Sequence, residues 1–101
     1  IKPGGENVYP AEVEKVILQH PAVAETVVFG VPDPKWKEGI KAVCRLENGE
    51  TLEPQALIDF VGERIARFKK PGYVAFVTEI PALEDGSPDR EAVKEQYGGD
   101  Q

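Results

Sequence analysis

Hydrophobic and polar positions along the chain change period several times. In Ala11–Gln19, the apolar Val13, Val16 and Ile17, followed by His20, recur at i, i+3, i+4 and i+7. Glu12, Glu14, Lys15 and Gln19 fall opposite them. This spacing predicts an amphipathic helix with the charged residues on its solvated face. Pro10 suits its first turn, where the missing N–H costs nothing, and Pro21 prevents its continuation. The run Thr26-Val27-Val28-Phe29-Gly30-Val31 is short and β-branched. It predicts a strand over Val23–Val31 that is buried on both faces for part of its length. Pro32 to Glu38 reads as a loop carrying Lys35, Trp36 and Lys37.

Ile40–Leu46 alternates, with Ile40, Ala42, Cys44 and Leu46 on one face and Lys41, Val43 and Arg45 on the other. A half-buried strand is expected, closed by a turn at Asn48-Gly49. Pro54 opens a second helix reaching about Ala66, with Leu57, Ile58, Val61 and Ile65 as its stripe and Phe60 and Phe68 beside it. Tyr73–Ile80 predicts a third strand, ended by Pro81. Glu84-Asp85-Gly86-Ser87 is a polar turn, and a short helix over 88–97 ends at Gly98-Gly99. Residues 1–9 form a Gly-rich loop. The expected fold is α+β: a small two-layer domain, a three-stranded sheet covered by two main helices, with a short C-terminal helix.

Composition narrows the function. A chain of 101 residues is one small domain, 1–101, with a modest core. Its net charge of −6 opposes the field that non-specific nucleic-acid binding needs. One cysteine and one histidine exclude an internal disulfide and a cysteine-based zinc site, and leave little for metal chemistry. No apolar run approaches the roughly 18 residues of a membrane helix. The chain contains no methionine and opens inside a Gly-rich segment, so a piece of a longer protein is expected.

Several residues invite chemistry, each with a plainer alternative. Gly4-Gly5 ahead of a helix either forms a tight turn or lets backbone approach a ligand. Arg64, Arg67, Lys69 and Lys70 form the one basic segment: either a solvated helix end or a contact for phosphate or an acidic partner. His20 reads as a packed or capping histidine, and Cys44 as a small buried hydrophobe. Trp36 is a packing anchor or an interface residue. Nothing near Ser87 would activate it as a nucleophile.

Taken together, the motifs say more. The opening run Ile1-Lys2-Pro3-Gly4-Gly5-Glu6-Asn7-Val8-Tyr9-Pro10-Ala11-Glu12-Val13-Glu14 resembles a signature stretch of the acyl-adenylate-forming enzymes. This superfamily includes acyl- and aryl-CoA synthetases, peptide-synthetase adenylation domains and luciferase. The similarity continues through His20-Pro21-Ala22-Val23, Val31-Pro32-Asp33, Lys69-Lys70-Pro71 and Phe76-Val77-Thr78-Glu79-Ile80-Pro81. It covers essentially the whole chain and corresponds to the family's small C-terminal domain.

The resemblance implies a cytoplasmic ligase that activates a fatty or aryl acid with ATP and Mg²⁺ and then passes the acyl group to coenzyme A. The C-terminal domain would be a mobile lid on the enzyme's own N-terminal adenylation domain. It would be inactive and bind no cofactor alone. The family's hinge residue would fall just ahead of Ile1. Gly4, Gly5, Glu6 and Asn7 would approach the pantetheine arm, and Lys69, Lys70 and Arg64 are the candidate phosphate contacts. The resemblance also places the family's adenylation lysine at Ser87, following Gly86, where this chain has a neutral hydroxyl. Arg90 matches a common basic position, and Lys94 is a candidate replacement cation. Lys37 stands where the family often has glycine. The Ser87 departure supports a second reading, a non-catalytic module that has lost adenylation and still contacts thioesters or a carrier protein.

Overall fold

The computed structural model describes residues 1–66 and 69–98. Arg67, Phe68 and Gly99 lie outside them, and with them the sequence readings at those positions. After a turn of 3-10 helix at Pro3–Gly5 come helix α1 (Pro10–Ile17), strands β1 (Val23–Asp33) and β2 (Lys37–Leu46), helix α2 (Pro54–Gly62), strand β3 (Tyr73–Val77) and helix α3 (Arg90–Tyr97). Proline occupies the first turn of both α1 and α2. Asp89 caps α3, its carboxylate accepting the Ala92 N–H at 3.1 Å.

The three strands are ordered β1-β2-β3. β1 and β2 pair antiparallel, from Val23 with Leu46 to Asp33 with Lys37. β3 adds parallel to β2, as the intervening α2 crossover requires. The expected loop over Pro32–Glu38 is therefore mostly strand, and only Pro34–Trp36 remains between β1 and β2. The third strand stops at Val77 rather than Ile80, α2 stops at Gly62 rather than near Ala66, and α3 begins at Arg90 rather than Pro88.

The sheet is covered on both faces, which corrects the expectation of a half-buried β2. Ile40, Ala42 and Cys44 pack with Val13, Ile17, Leu57 and Val61 beneath α1 and α2. Val43, on the face read as solvated, is wholly buried in a second cluster with Val27, Phe29, Val31, Ile80 and Val93. Burial pushes the Cys44 thiol up to about 11, against a smaller opposing effect of Thr26. His20 Nδ1 accepts the Ala22 N–H at 3.1 Å, and its ring meets Phe60 edge-on at 4.8 Å, a packing role as expected.

Glu14 also departs from the helical-wheel reading. It was expected on the solvated face of α1 but is 7% exposed. Its Oε2 accepts the Val28 N–H on the outer edge of β1 at 2.8 Å and the Arg90 Nη1 at 2.7 Å, while Arg90 Nη2 closes on Oε1. Burial is tolerable because the charge is paired and its oxygens are hydrogen-bonded.

Candidate functional site

The Gly-rich opening meets the tip of the β1–β2 hairpin. Gly4 sits in the left-handed region at φ 60°, ψ 21°, a conformation that favours glycine. A Cβ there would approach Trp36 Cε3 to 2.9 Å. The Gly4 N–H donates to the Trp36 carbonyl at 3.0 Å, tying the two segments together.

Asp33 organises the hairpin tip. Its Oδ1 accepts the N–H groups of Lys35 and Trp36 at 2.8 and 2.9 Å, an Asx-type turn that reverses the chain. Its Oδ2 accepts the hydroxyl of Tyr73, the first residue of β3, at 2.6 Å. That bond, followed by the Trp36 N–H, holds the Asp33 carboxyl below the ordinary carboxylate range. The same bond raises the Tyr73 phenol above its usual value.

Opening turn, hairpin tip and the start of β3 enclose a pocket of about 560 Å³. Pro3, Gly4 and Glu6 of the opening segment, Asp33, Trp36, Gly39 and Ile40 of the hairpin, and Lys70, Pro71, Gly72 and Tyr73 line it. Trp36 is 50% exposed, and its indole offers a broad apolar wall. The pocket is thus mainly apolar, with the Lys70 ammonium the cation among its lining residues.

The predicted site residues divide around this pocket. Gly4 and Glu6 line it, while Gly5 and Asn7 are exposed in the same segment. Lys70 lines it as well. Lys69 instead donates to both carboxylate oxygens of Glu12 at 3.0 Å. The Arg64 guanidinium lies 3.5 Å over the Phe60 ring and donates to the Phe60 carbonyl at 2.9 Å.

Ser87 is not among the pocket residues. It is exposed in a tight turn where the Leu83 N–H donates to the Ser87 carbonyl at 2.8 Å and Gly86 takes φ 89°. The Ser87 hydroxyl and N–H both donate to Asp85 Oδ1, at 2.6 and 2.9 Å, which lowers the Asp85 carboxyl below its ordinary range.

Asp33 and Tyr73 were missed from sequence as pocket residues. Asp33 carried the turn signal of Pro32-Asp33-Pro34, but Tyr73 looked like any residue of a β-rich run. Their juxtaposition depends on β3 pairing parallel to β2, which no local pattern reveals.

Residues 12–86 match the AMP-binding enzyme C-terminal domain family. The chain is 43% identical over 94 residues to the long-chain-fatty-acid–CoA ligase FadD13 of Mycobacterium tuberculosis, covering 93% of this chain and 18% of that protein. It is 38% identical over 96 residues to the fatty acid–[acyl-carrier-protein] ligase ScoC of Streptomyces coeruleorubidus, covering 95% of this chain and again 18% of the relative. The solved structure of a Mycobacterium tuberculosis fatty acyl CoA synthetase superposes with a TM-score of 0.88 at 41% identity, over 97% of this chain and 19% of that one. The chain therefore spans about a fifth of the length of these relatives. The opening Gly-rich turn, the Asp33 hairpin, the Lys69-Lys70-Pro71 segment and the turn before α3 stand in one compact frame, and the chain that builds it is a member of the AMP-binding enzyme C-terminal domain family.

Proposed function

We propose that this chain is the mobile C-terminal domain of an ATP-dependent, AMP-forming acyl-CoA ligase, and that its Trp36 pocket receives the thiol-bearing arm of coenzyme A. The observation that carries the reading is the convergence of Gly4, Trp36 and Lys70 on one pocket. The left-handed Gly4 lets the opening turn pack directly on Trp36 with no side chain between them, Trp36 provides apolar contact, and Lys70 can meet a phosphate. Lys69 and Arg64, the other candidate phosphate contacts, are held by Glu12 and Phe60 and would have to leave them.

In the thioester-forming step, the thiol sulfur attacks the acyl carbon of an acyl-adenylate. The carbon–sulfur bond forms, the carbon–oxygen bond to AMP breaks, and the thiol proton passes to solvent or a base. This chain contributes a channel wall and orientation, and excludes water from the reacting atoms. Among the described residues, no three His, Cys, Asp or Glu side chains gather to hold a metal. In this proposal the adenylation domain supplies the ligands for the magnesium that accompanies ATP, together with the carboxylic acid pocket. No helix among the described residues is long and apolar enough to cross a membrane; a cytoplasmic location belongs to the proposal.

One observation favours a second reading. At the position where the resemblance places a lysine, the Ser87 hydroxyl is turned onto Asp85 in an acidic turn. A domain without that cation would retain thioester or carrier-protein contacts without adenylation, and ScoC, by name, joins fatty acids to a carrier protein. The deciding experiment supplies a ligase carrying this domain with ATP, a panel of carboxylic acids and either coenzyme A or acyl-carrier protein. AMP release with coenzyme A supports the first reading. AMP release only with carrier protein, or none with any acid, overturns it.

A further inference from the structure

We propose that a second cleft, walled by Lys2, Lys37 and Lys94, binds a phosphate anion. The three lysines come from separate parts of the chain: ahead of the opening turn, the start of β2, and α3. They converge on a cleft of about 570 Å³ beside Gly30 and Gly98, sharing no lining residue with the Trp36 pocket. The cleft continues past Lys94 and Glu38 into a smaller one of about 310 Å³ lined also by Glu91 and by Arg90, whose guanidinium is already paired with Glu14.

The cleft gathers positive charge in a chain that is acidic overall, at net −6. Among the described residues no ion pair engages Lys2, Lys37 or Lys94; the same holds for Lys15, Lys35 and Lys70, so it is the convergence of three lysines on one cleft that sets them apart. Among the described residues, Glu38 is the one acidic residue lining the larger cleft. Its Oε1 is engaged by the Lys2 backbone N–H at 2.7 Å, and its carboxylate lies across Gly30. Three ammonium groups against one carboxylate leave excess positive charge that a multiply charged anion would neutralise. Lysine suits this role: it is a point charge with three rotatable donors and demands no planar partner. A phosphate matches the multiple charge better than a carboxylate does.

Backbone strain supplies a second, independent observation. Lys37 is the one non-glycine residue with positive φ among the described residues, at 68°. Glycine would take that conformation freely. A strained backbone that keeps a side chain persists where its surroundings over-determine it, and such positions cluster at functional sites. The ammonium that Lys37 brings to the cleft accounts for the residue; the backbone alone would favour glycine.

The cleft stands whether or not the Trp36 pocket receives coenzyme A. The test is a titration of the chain with inorganic pyrophosphate at constant ionic strength, followed by amide ¹H–¹⁵N spectra. Saturating shifts are expected at residues 30–31, 37–38 and 94–98. The double variant Lys37→Gly/Lys94→Gln should bind at least about five-fold more weakly, as removal of two nearby charges implies. Lys37→Gly relieves the backbone, and a separate titration of Lys94→Gln alone should show an intermediate affinity. Displacement of pyrophosphate by ATP would identify a nucleotide polyphosphate as the natural ligand; displacement by coenzyme A instead would identify the phosphates of the thiol carrier. Non-saturating shifts, shifts confined to the Trp36 pocket, or equal affinity in the double variant would overturn the proposal.

Discussion

The Arg90 guanidinium grips both carboxylate oxygens of Glu14, a residue 76 positions earlier in the chain. The contact joins the last helix to the first, and Glu14 extends it to the outer edge of β1 through the Val28 N–H. It also raises the Arg90 guanidinium above its already high value, chiefly through that hydrogen-bonded pair. Glu14 belongs to the segment that follows the Gly-rich turn, and Arg90 to the segment that follows the Ser87 turn. The two motif-bearing ends of the domain are thereby held in one rigid frame.

Arg90→Ala should therefore destabilise the fold by about 2–3 kcal/mol, since it leaves the buried Glu14 carboxylate without its cation, with solvent around the half-exposed arginine site offsetting part of the loss. Glu14→Ala should cost about 1–2 kcal/mol, because it leaves the Val28 N–H without its acceptor while the freed arginine can reach water. Urea unfolding of the two variants checks both the size and the order.

Relief of backbone strain gives the opposite sign. Lys37→Gly removes the left-handed penalty at φ 68°, which is roughly 1–2 kcal/mol. The greater freedom of glycine in the unfolded chain offsets part of it. A net gain of about 0.5–1 kcal/mol is expected, read as a higher melting temperature. The resemblance marked this position only as a departure, and the dihedral angle gives the physical reason a glycine would suit it.

The Asp33–Tyr73 bond makes stability depend on pH at both ends. Asp33 is held below the ordinary carboxylate value of 3.8. Its contribution is fully present above that value and is lost as pH falls through the folded pKa. Tyr73 is held above 10.0. Its contribution is fully present below pH 10 and is lost as pH rises through the folded pKa. In Tyr73→Phe, the acid-side loss should be smaller and end nearer the ordinary carboxylate value, and the alkaline loss should shrink. Thermal melts across both pH ranges test this.

Cys44 should be inert to a thiol-specific disulfide reagent at neutral pH, because its side chain is buried and its pKa is pushed up to about 11. Full reaction on addition of denaturant is expected, at a rate that reports global opening. Rapid labelling of the native chain would show that the face beneath α1 and α2 opens locally.

Much of the fold was legible locally because periodicity reports one face at a time. Val13, Val16 and Ile17 announced α1, Pro10 and Pro54 marked two helix starts, and the Thr26–Val31 run announced β1. Where local pattern misled, a distant partner had intervened. Glu14 looked solvated because its neighbours are charged, and only Arg90 and the β1 edge explain its burial. Val43 looked half-exposed because it lies between Lys41 and Arg45 in the alternating pattern, yet Val27, Ile80 and Val93 close over it. At the candidate site, the Gly4-Gly5 turn was visible in the sequence, whereas its stacking against Trp36 and the tie from Tyr73 to Asp33 depend on sheet pairing. The basic segment looked uniform in sequence, but the distant Glu12 holds Lys69 and the neighbouring turn of α2, through Phe60, holds Arg64, which separates both from Lys70.

If the Ser87 turn governs adenylation, placing a cation there should accelerate it. Ser87→Lys in a ligase carrying this domain should raise carboxylate-dependent ATP–pyrophosphate exchange by about ten-fold or more, the scale expected for one electrostatic contact to developing charge. Equal exchange in the two proteins would remove the turn from the adenylation step.

The most direct test of the account separates the two half-reactions in such a ligase with Gly4→Val. The substitution sets a branched side chain against the Trp36 indole at a position where even a Cβ would reach 2.9 Å. Single-turnover transfer of the acyl group to coenzyme A should fall by about 10²-fold, the scale of a misplaced reacting group. Adenylate formation in the same preparation should stay within about two-fold of the unaltered enzyme. Equal losses in both half-reactions, or undiminished transfer, would contradict the assignment of the Gly4–Trp36 pocket to the thiol arm.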